Sequence, residues 1–154
     1  QENVDLLMMA SPMHDIGKVI IPDSILLKAG KLTDEEFTQM KEHATYGWKI
    51  FHQSKQQLLQ TAATISYEHH EKWDGTGYPR GLKGEEIHLF GRITAICDVF
   101  DALSHDRVYK KAWSVEETLE YIQQESGRAF EPKLVELFLQ NIETIFEIKR
   151  QHEN

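Results

Sequence analysis

Histidines and aspartates recur along the chain at the ends of apolar segments, and their side chains are the ones best suited to chemistry. The set comprises His14, Asp15, His43, His69, His70 and Asp98. Because apolar helical segments converge on a core, we expect the side chains at their ends to converge as well. Imidazole nitrogen combined with carboxylate oxygen suits iron or manganese, and also zinc or nickel, but not Cu(I). The sequence therefore predicts a metal site.

Two of the aspartates occupy positions with a specific meaning. Asp98 lies within the apolar stretch 93–103, where an unpaired carboxylate is costly and therefore requires a cation or strong hydrogen-bond donors. Asp15 adjoins His14, so its carboxylate can bridge two metals while the imidazole binds one of them. Two metals about 3.5–4 Å apart can clamp a phosphodiester and supply a bridging hydroxide for in-line attack.

A glycine-rich segment follows the histidine pair. Residues 69–79 read HHEKWDGTGYP, within a long loop that is predicted to run from 71 to 91. Gly75 and Gly77 permit close backbone approach, and Tyr78 with Pro79 would form a rigid aromatic lip. A loop of this length in a compact domain is usually functional or disordered, so an ordinary surface loop is the alternative.

Basic residues that could contact phosphate occur in two places. The cluster RVYKK at 107–111, which includes Arg107 and Lys110, is unusual in a chain of net charge −8 and suits phosphate recognition. The alternative is a solvated run of charge. Lys18 lies four residues after His14, and it is either a surface lysine or a phosphate contact beside a metal centre.

The elements that must position these residues are predicted to be helices, with no strand pattern in the chain. Thr33 and Ser114 each begin a capping box, which predicts helices over 33–51 and 114–127. A proline at the first helical position predicts a last helix over 132–149. The expected fold class is all-α.

Composition limits the classes of protein to consider. The chain has 154 residues, of which 40% are hydrophobic and 27% charged, as in one ordinary globular domain. A net charge of −8 argues against wrapping polymeric nucleic acid. Cys97 is the single cysteine, which excludes an internal disulfide; it is expected to be buried, and the reducing cytoplasm is the expected compartment. No apolar run reaches the roughly 18 residues of a membrane span.

The motifs resemble those of a known family. The segment 14–18, HDIGK, is similar to the HDxGK signature of HD-superfamily metal-dependent phosphohydrolases. Residues 69–79 resemble the HHExxDGxGYP signature of the HD-GYP subgroup, and the similarity extends over 5–132. The resemblance implies a helical bundle around two or three divalent metal ions, commonly iron or manganese. It also implies hydrolysis of the bacterial second messenger cyclic di-GMP to pGpG, GMP or both.

The resemblance further implies roles for individual residues. The implied metal ligands are His14, Asp15, His43, His69, His70 and Asp98. Asp15 would bridge the metals and act in catalysis, with Lys18 assisting beside them. The implied substrate-binding residues are Gly77, Tyr78, Pro79, Arg107 and Lys110. Glu71 and Asp74 would order the loop rather than touch substrate.

The same resemblance sets expectations for organisation and partners. Residues 1–154 would form a single HD-GYP domain without the family's first helix, which contributes a further histidine ligand. A receiver or sensor domain would lie upstream, and cyclic di-GMP-synthesising (GGDEF) proteins or a second copy of the chain are implied partners. Two other functions stay open: a catalytically impaired sensor of cyclic dinucleotides, and an HD-type hydrolase of another nucleotide phosphodiester, including mixed cyclic dinucleotides. The intact ligand set argues against the sensor, and the GYP segment distinguishes cyclic di-GMP hydrolysis from the last alternative.

Overall fold

Helices and turns make up the computed structural model, which describes residues 1–105 and 111–152. The helices are α1 (Glu2–Ala10), α2 (Asp23–Leu26), α3 (Asp34–Phe51), α4 (Gln57–Glu68), α5 (Leu89–Ser104), α6 (Val115–Gln124), α7 (Pro132–Gln140) and α8 (Ile142–His152). Short 3-10 helices lie at Ser11–Met13, Ile16–Ile20 and Gly84–Glu86. No β-strand occurs in the described residues, and the predicted all-α class is confirmed.

Reciprocal capping fixes where two of the helices begin. The Thr33 hydroxyl accepts a hydrogen bond from the Glu36 amide, and the Glu36 carboxylate accepts one from the Thr33 amide at 2.7 Å. Ser114 and Glu117 make the same pair of bonds at the start of α6. Each box satisfies two amides that have no partner within the helix, so both predicted helix starts are correct.

The end of the chain differs from the prediction. The prediction of a single helix over 132–149 is wrong, because the helix is interrupted at Asn141, between α7 and α8. The Asn141 side-chain amide donates to the Leu137 carbonyl at 2.8 Å. The Asn141 backbone amide also donates to the Leu137 carbonyl, at 3.2 Å, but its angles of φ −109° and ψ 17° are not helical. Asparagine favours helix ends, because its side chain can bond to nearby backbone. The helix expected over 114–127 also ends early, at Gln124.

Two apolar clusters hold the helices together. The first joins α1, the end of α3, α4 and the start of α5 around three buried residues, Ala10, Ala62 and Ile65. The second joins α5 to the C-terminal helices, and its buried members are Ile96, Phe100, Ile122, Phe130, Val135 and Phe138. Helix α5 contributes to both clusters, so the region around its middle lies between them.

Glycines bring the segment that follows α1 close to α3. A Cβ atom on Gly17 would lie 1.9 Å from the His43 carbonyl oxygen and 2.5 Å from the Gly47 nitrogen. A Cβ atom on Gly47 would lie 2.7 Å from the Ser66 Cβ of α4. Only glycine permits contacts this close. The 3-10 helix Ile16–Ile20, α3 and α4 therefore stack tightly.

Cys97 corrects one sequence-based expectation. It is exposed rather than buried, because it faces a trough of about 350 Å³ that α1 and the following turn leave open beside α5. Apolar side chains, including Leu7 and Ile93, line this trough. Among the described helices, none combines the length and apolarity needed to cross a bilayer.

Candidate metal centre

Three histidines point their Nε2 atoms into the space between the helices. In each of them Nδ1 lies within hydrogen-bond distance of the carbonyl three residues earlier, at 2.7 Å for His14, 2.7 Å for His43 and 3.0 Å for His69. A carbonyl only accepts, so Nδ1 carries the proton and Nε2 keeps a lone pair. This hydrogen bond is the usual means by which proteins orient a metal-binding imidazole.

Asp15 lies at the centre of these lone pairs. Its Oδ1 is 3.3 Å from His43 Nε2 and 3.7 Å from His69 Nε2, while its Oδ2 is 3.4 Å from His14 Nε2. His70 Nε2 completes one side of the group, 3.1 Å from His43 Nε2. The ligand atoms of Asp15, His43, His69 and His70 all lie within 4.8 Å of one another.

Asp98 joins the group from α5, through His14. Its Oδ1 lies 3.8 Å from His14 Nε2, the atom that also approaches Asp15. The six side chains that the sequence singled out are thus brought together, with Asp15 between a histidine group and a His14–Asp98 pair. That they bind metal stays a prediction.

Burial and mutual contact keep His69, His70 and Asp15 in the protonation state that a metal needs. Burial, with the neighbouring His69 and His43, lowers the pKa of His70 to about 2, and burial also lowers the pKa of His69. Burial opposes ionisation of Asp15, but the adjoining His14, His43 and His69 rings and the Lys18 ammonium hold its pKa far below the ordinary range. His69 and His70 therefore keep their lone pairs at neutral pH beside the Asp15 anion. For His14, burial is outweighed by the contacts with Asp15 and the Ser11 carbonyl, which raise its pKa.

Unsatisfied atoms in the centre fit a divalent cation. His14 Nε2 and Asp15 Oδ1 are buried without a hydrogen-bond partner, which costs roughly 1–3 kcal/mol for each such atom. The 3.1 Å between the His43 and His70 nitrogens is about the separation of two nitrogens bound to one ion at roughly 2.1 Å. A cation between these atoms would satisfy all of them, so the residues fit the metal that the fold implies.

Lys18, the predicted catalytic lysine, adjoins the centre. Its ammonium is 2.5 Å from Asp15 Oδ2, and its side chain is 39% exposed. One N–H of the ammonium donates to Asp15, while the ammonium group remains accessible to solvent. Arg107 and Lys110, predicted to contact phosphate, lie outside the described residues.

The loop between α4 and α5 places an aromatic ring on the centre. The Tyr78 ring stacks on His70 with 4.8 Å between centroids, and the Tyr78 amide donates to the His70 carbonyl at 3.1 Å. Gly77 faces backbone, since a Cβ atom there would lie 2.3 Å from the Lys72 nitrogen. Pro79 follows Tyr78 through a cis peptide bond and is exposed. Of the three predicted substrate contacts in this loop, Tyr78 is the one beside the metal centre.

Two buried carboxylates, Glu68 at the end of α4 and Glu71 just after it, hold this loop in place. Glu71 accepts from the Arg80 amide at 2.7 Å and from the Leu82 amide at 2.9 Å, and it orders the loop as expected. Glu68 accepts from the Arg80 guanidinium and from the His88 amide, both at 2.5 Å. Glu68 was not identified from the sequence, because its partners lie 12 and 20 residues further on.

A crevice of about 150 Å³ opens beside the centre. His70, Tyr78 and Asp98 line it on the side of the metal centre. Lys72 and Tyr121 line it as well, and neither was identified from the sequence. Tyr121 comes from α6, far from the motifs along the chain, and only the fold brings it here.

A family model now adds to this geometry, since the model of the HD domain matches residues 1–134. The chain belongs to the HD domain family. The predicted HD-superfamily membership is therefore confirmed. This HD domain is 50% identical over 149 residues to the 3'3'-cGAMP-specific phosphodiesterase 2 of Vibrio cholerae. The aligned residues cover 97% of this chain and 28% of that protein.

Two further similarities agree with this assignment. The HD domain is 47% identical over 139 residues to the cyclic di-GMP phosphodiesterase response regulator RpfG of Xanthomonas campestris, covering 90% of this chain and 37% of that protein. The crystal structure of a cyclic GMP-AMP specific phosphodiesterase from Vibrio cholerae shares the fold, with a TM-score of 0.62, 24% identity, and coverage of 85% of this chain and 36% of that one. The chain spans less than half the length of each of these proteins.

Proposed function

We propose that this HD domain hydrolyses a phosphodiester bond of a cyclic dinucleotide, with cyclic di-GMP as substrate and pGpG, GMP or both as products. The observation that carries the proposal is the convergence of histidine Nε2 lone pairs on the Asp15 carboxylate. Relatives at 50% and 47% identity that are named cyclic dinucleotide phosphodiesterases support it.

The ligands would be shared between two sides of Asp15. His14 and Asp98 would hold an ion with one carboxylate oxygen, and the histidine group of His43, His69 and His70 would hold one with the other. Two or three divalent ions, iron or manganese, would supply Lewis acidity and a bound water of lowered pKa. The mixed imidazole and carboxylate donors are the chemistry that supports this choice of metals.

The chain's own side chains would bind and orient the substrate. Lys18 keeps ammonium protons free beyond its bond to Asp15, so it can donate to a phosphate oxygen at the centre. Tyr78, fixed on His70, would form the wall against which the substrate rests. Arg107 and Lys110 are proposed to hold phosphate, as the family resemblance implies.

Turnover of cyclic di-GMP tests this function directly. Protein loaded with iron or manganese without oxygen should release pGpG or GMP, resolved by chromatography, and a chelator should stop the reaction. Asp15→Ala should lose bound metal and turnover together, because both sides of the centre share that carboxylate. The matched control is Asp34→Ala, which removes an exposed carboxylate at the start of α3 and should retain both. Full turnover by Asp15→Ala would contradict the scheme.

The same assay separates the alternatives. A folded, metal-loaded protein that binds cyclic di-GMP without cleaving it would be a sensor. The relative named as specific for 3'3'-cGAMP favours that dinucleotide as a second substrate, so it is assayed in parallel. Cleavage of cyclic GMP-AMP alone would assign the domain to mixed dinucleotides.

We also propose that the domain acts in the cytoplasm within a longer protein, as a single HD-GYP unit controlled by a receiver or sensor domain. The name of the Xanthomonas relative, a response regulator, supports this. GGDEF proteins and a second copy of the chain are proposed partners. Light scattering would detect the dimer, and pull-down with a purified GGDEF domain would detect the other contact.

A further inference from the structure

The crevice beside the metal centre combines a reactive end with an aromatic interior. His70 and Asp98 line the end where the phosphodiester of the proposed reaction would lie. Tyr78 and Tyr121 contribute ring surface, and Phe130 closes the apolar wall. Aromatic rings stack on nucleobases of any sequence, because every base presents a π-face.

The rings that line the crevice are held in place. Tyr78 is stacked on His70 with 22° between the planes, and its amide is bonded to the backbone of that residue. Tyr121 packs edge-to-face on Trp113, with centroids 5.7 Å apart. Phe130 is 4% exposed and belongs to the second apolar cluster. The walls of the crevice are therefore formed before a flat ligand binds.

Lys72 is the one lysine or arginine among the described residues that line the crevice. Its backbone is fixed, since its carbonyl accepts from the Gly75 amide at 2.8 Å and its nitrogen lies against Gly77. An ammonium group donates hydrogen bonds and accepts none. Guanine offers two acceptors, O6 and N7, on one edge, whereas adenine places a donor amino group at the position of O6.

We propose that the crevice holds the nucleobase next to the scissile phosphodiester and that Lys72 makes it select guanine over adenine. The proposal rests on the proposed function and deepens it, because it states which base of a mixed cyclic dinucleotide lies at the centre. Tyr121 stacks on the base, and Lys72 donates to its O6 and N7 edge. Tyr78 forms the neighbouring wall, because its ring is already stacked on His70 and lies below the Lys41 ammonium.

Cyclic GMP-AMP is the discriminating substrate, because its two phosphodiesters differ in which base precedes them. A guanine-selective crevice cleaves one of the two first, so one linear dinucleotide should exceed the other on the order of tenfold in early time points. Lys72→Met should bring the two products close to equal amounts. Lys72→Arg should preserve the bias, since arginine makes the same contact with guanine. Lys83→Met changes an exposed lysine of the same loop that does not line the crevice, and it should behave as the wild type.

Stacking by Tyr121 is tested separately. Tyr121→Phe keeps the ring and should retain the KM for cyclic di-GMP, whereas Tyr121→Leu should raise that KM several-fold with little change in kcat. Circular dichroism checks that each variant is folded. An unchanged KM in folded Tyr121→Leu would remove Tyr121 from the base pocket.

Binding of mononucleotides keeps the inference testable without turnover. Calorimetry on metal-loaded protein should show GMP binding more tightly than AMP, with the difference lost in Lys72→Met. Wild-type protein that binds GMP preferentially but cleaves no dinucleotide would overturn the proposed function and support the guanine pocket. Equal affinities for GMP and AMP, or a Lys72→Met variant that weakens both equally as a phosphate contact would, overturns the pocket.

Discussion

Each of the three histidines with a carbonyl-bonded Nδ1 is oriented by its own turn of backbone rather than by a neighbouring side chain. His14, His43 and His69 use the carbonyl three residues earlier, so the lone pair direction follows directly from local structure. Their order around Asp15 then depends only on how the helices pack. A ligand can therefore be removed without reorienting the others.

This independence leads to a prediction about metal stoichiometry. His43→Gln should lose an ion from the histidine group, and Asp98→Asn should lose the ion held with His14, each variant keeping the other metal. The reason is that His43 lies beside Asp15 Oδ1, whereas Asp98 contacts His14, which lies beside Asp15 Oδ2. Metal analysis of protein purified by gel filtration measures the ions per chain. Loss of all metal in either variant would show that the two sides do not bind separately.

At the scale of elements, the loop that carries Tyr78 depends on carboxylates rather than on a strand or helix of its own. Glu71→Gln should loosen this loop, because an amide nitrogen would replace one of two acceptors that face the Arg80 and Leu82 amides. A loss of about 1–3 kcal/mol in the free energy of unfolding is expected, with a higher KM. Urea unfolding followed by fluorescence and steady-state kinetics measure both.

Glu85→Gln is the control for this prediction, since Glu85 is an exposed glutamate of the same loop. It should leave stability and KM unchanged. Equal effects of the two substitutions would mean that Glu71 does not anchor the loop.

The close packing of the HD segment on α3 makes a second element-scale prediction. Gly17→Ala should destabilise the fold by about 1–3 kcal/mol and weaken metal retention, because the new methyl group would meet the His43 carbonyl. Val19→Ala, in the same 3-10 helix but 71% exposed, should stay within about 0.5 kcal/mol of the wild type. Thermal unfolding with and without chelator measures both. A Gly17→Ala protein as stable as the wild type would show that the backbone can separate there without loss.

The sequence predicted those features whose causes are local. The capping boxes at Thr33 and Ser114 need only four residues each, and the helices begin where the pattern places them. The ligand candidates were visible as histidines and aspartates beside or within apolar segments. The structure places His43 and Asp98 in the middle of α3 and α5 rather than at helix ends. Features that depend on distant partners were missed, such as the bond from Glu68 to Arg80 and the approach of Tyr121 to the crevice.

Two predictions were wrong because they were made from local pattern alone: the burial of Cys97 and the single helix at the end of the chain. An apolar run predicts burial, but exposure of Cys97 depends on how much of α5 its neighbours cover. Asn141 is compatible with a helix on its own, but in the structure its backbone leaves helical angles and its side chain bonds to the Leu137 carbonyl. Local pattern determines the element type here, whereas packing determines its limits and its exposed face.

At the scale of the whole molecule, two apolar clusters share one helix, and they support different parts of the site. The first cluster packs α4, which leads directly into His69 and His70, while the second supports the crevice through Phe130. Damage to one cluster should therefore affect the centre more than damage to the other.

A pair of matched substitutions tests this division. Ile65→Ala and Ile122→Ala each remove a fully buried side chain, and each should cost about 2–5 kcal/mol in unfolding free energy. Ile65→Ala should also weaken metal binding, because the cavity lets this turn of α4 shift, and with it the Ile65 carbonyl that lies beside His69 Nδ1. Ile122→Ala should keep the metal and raise the KM instead. Calorimetric unfolding and metal titration separate the two effects, and equal metal affinities in both variants would contradict the division.

Anchoring of the Tyr78 loop on two sides has a consequence for proteolysis. The Trp73 and Asp74 amides donate to the Ala129 and Arg128 carbonyls at 3.1 and 2.9 Å, while the Glu68 and Glu71 carboxylates hold the other side. A protease must draw a stretch of chain into an extended form, and this segment can do so only by breaking bonds on both sides at once. Trypsin should therefore spare the basic residues of this exposed loop. Cleavage there would show that the loop has detached and that Tyr78 no longer packs beside the metal centre.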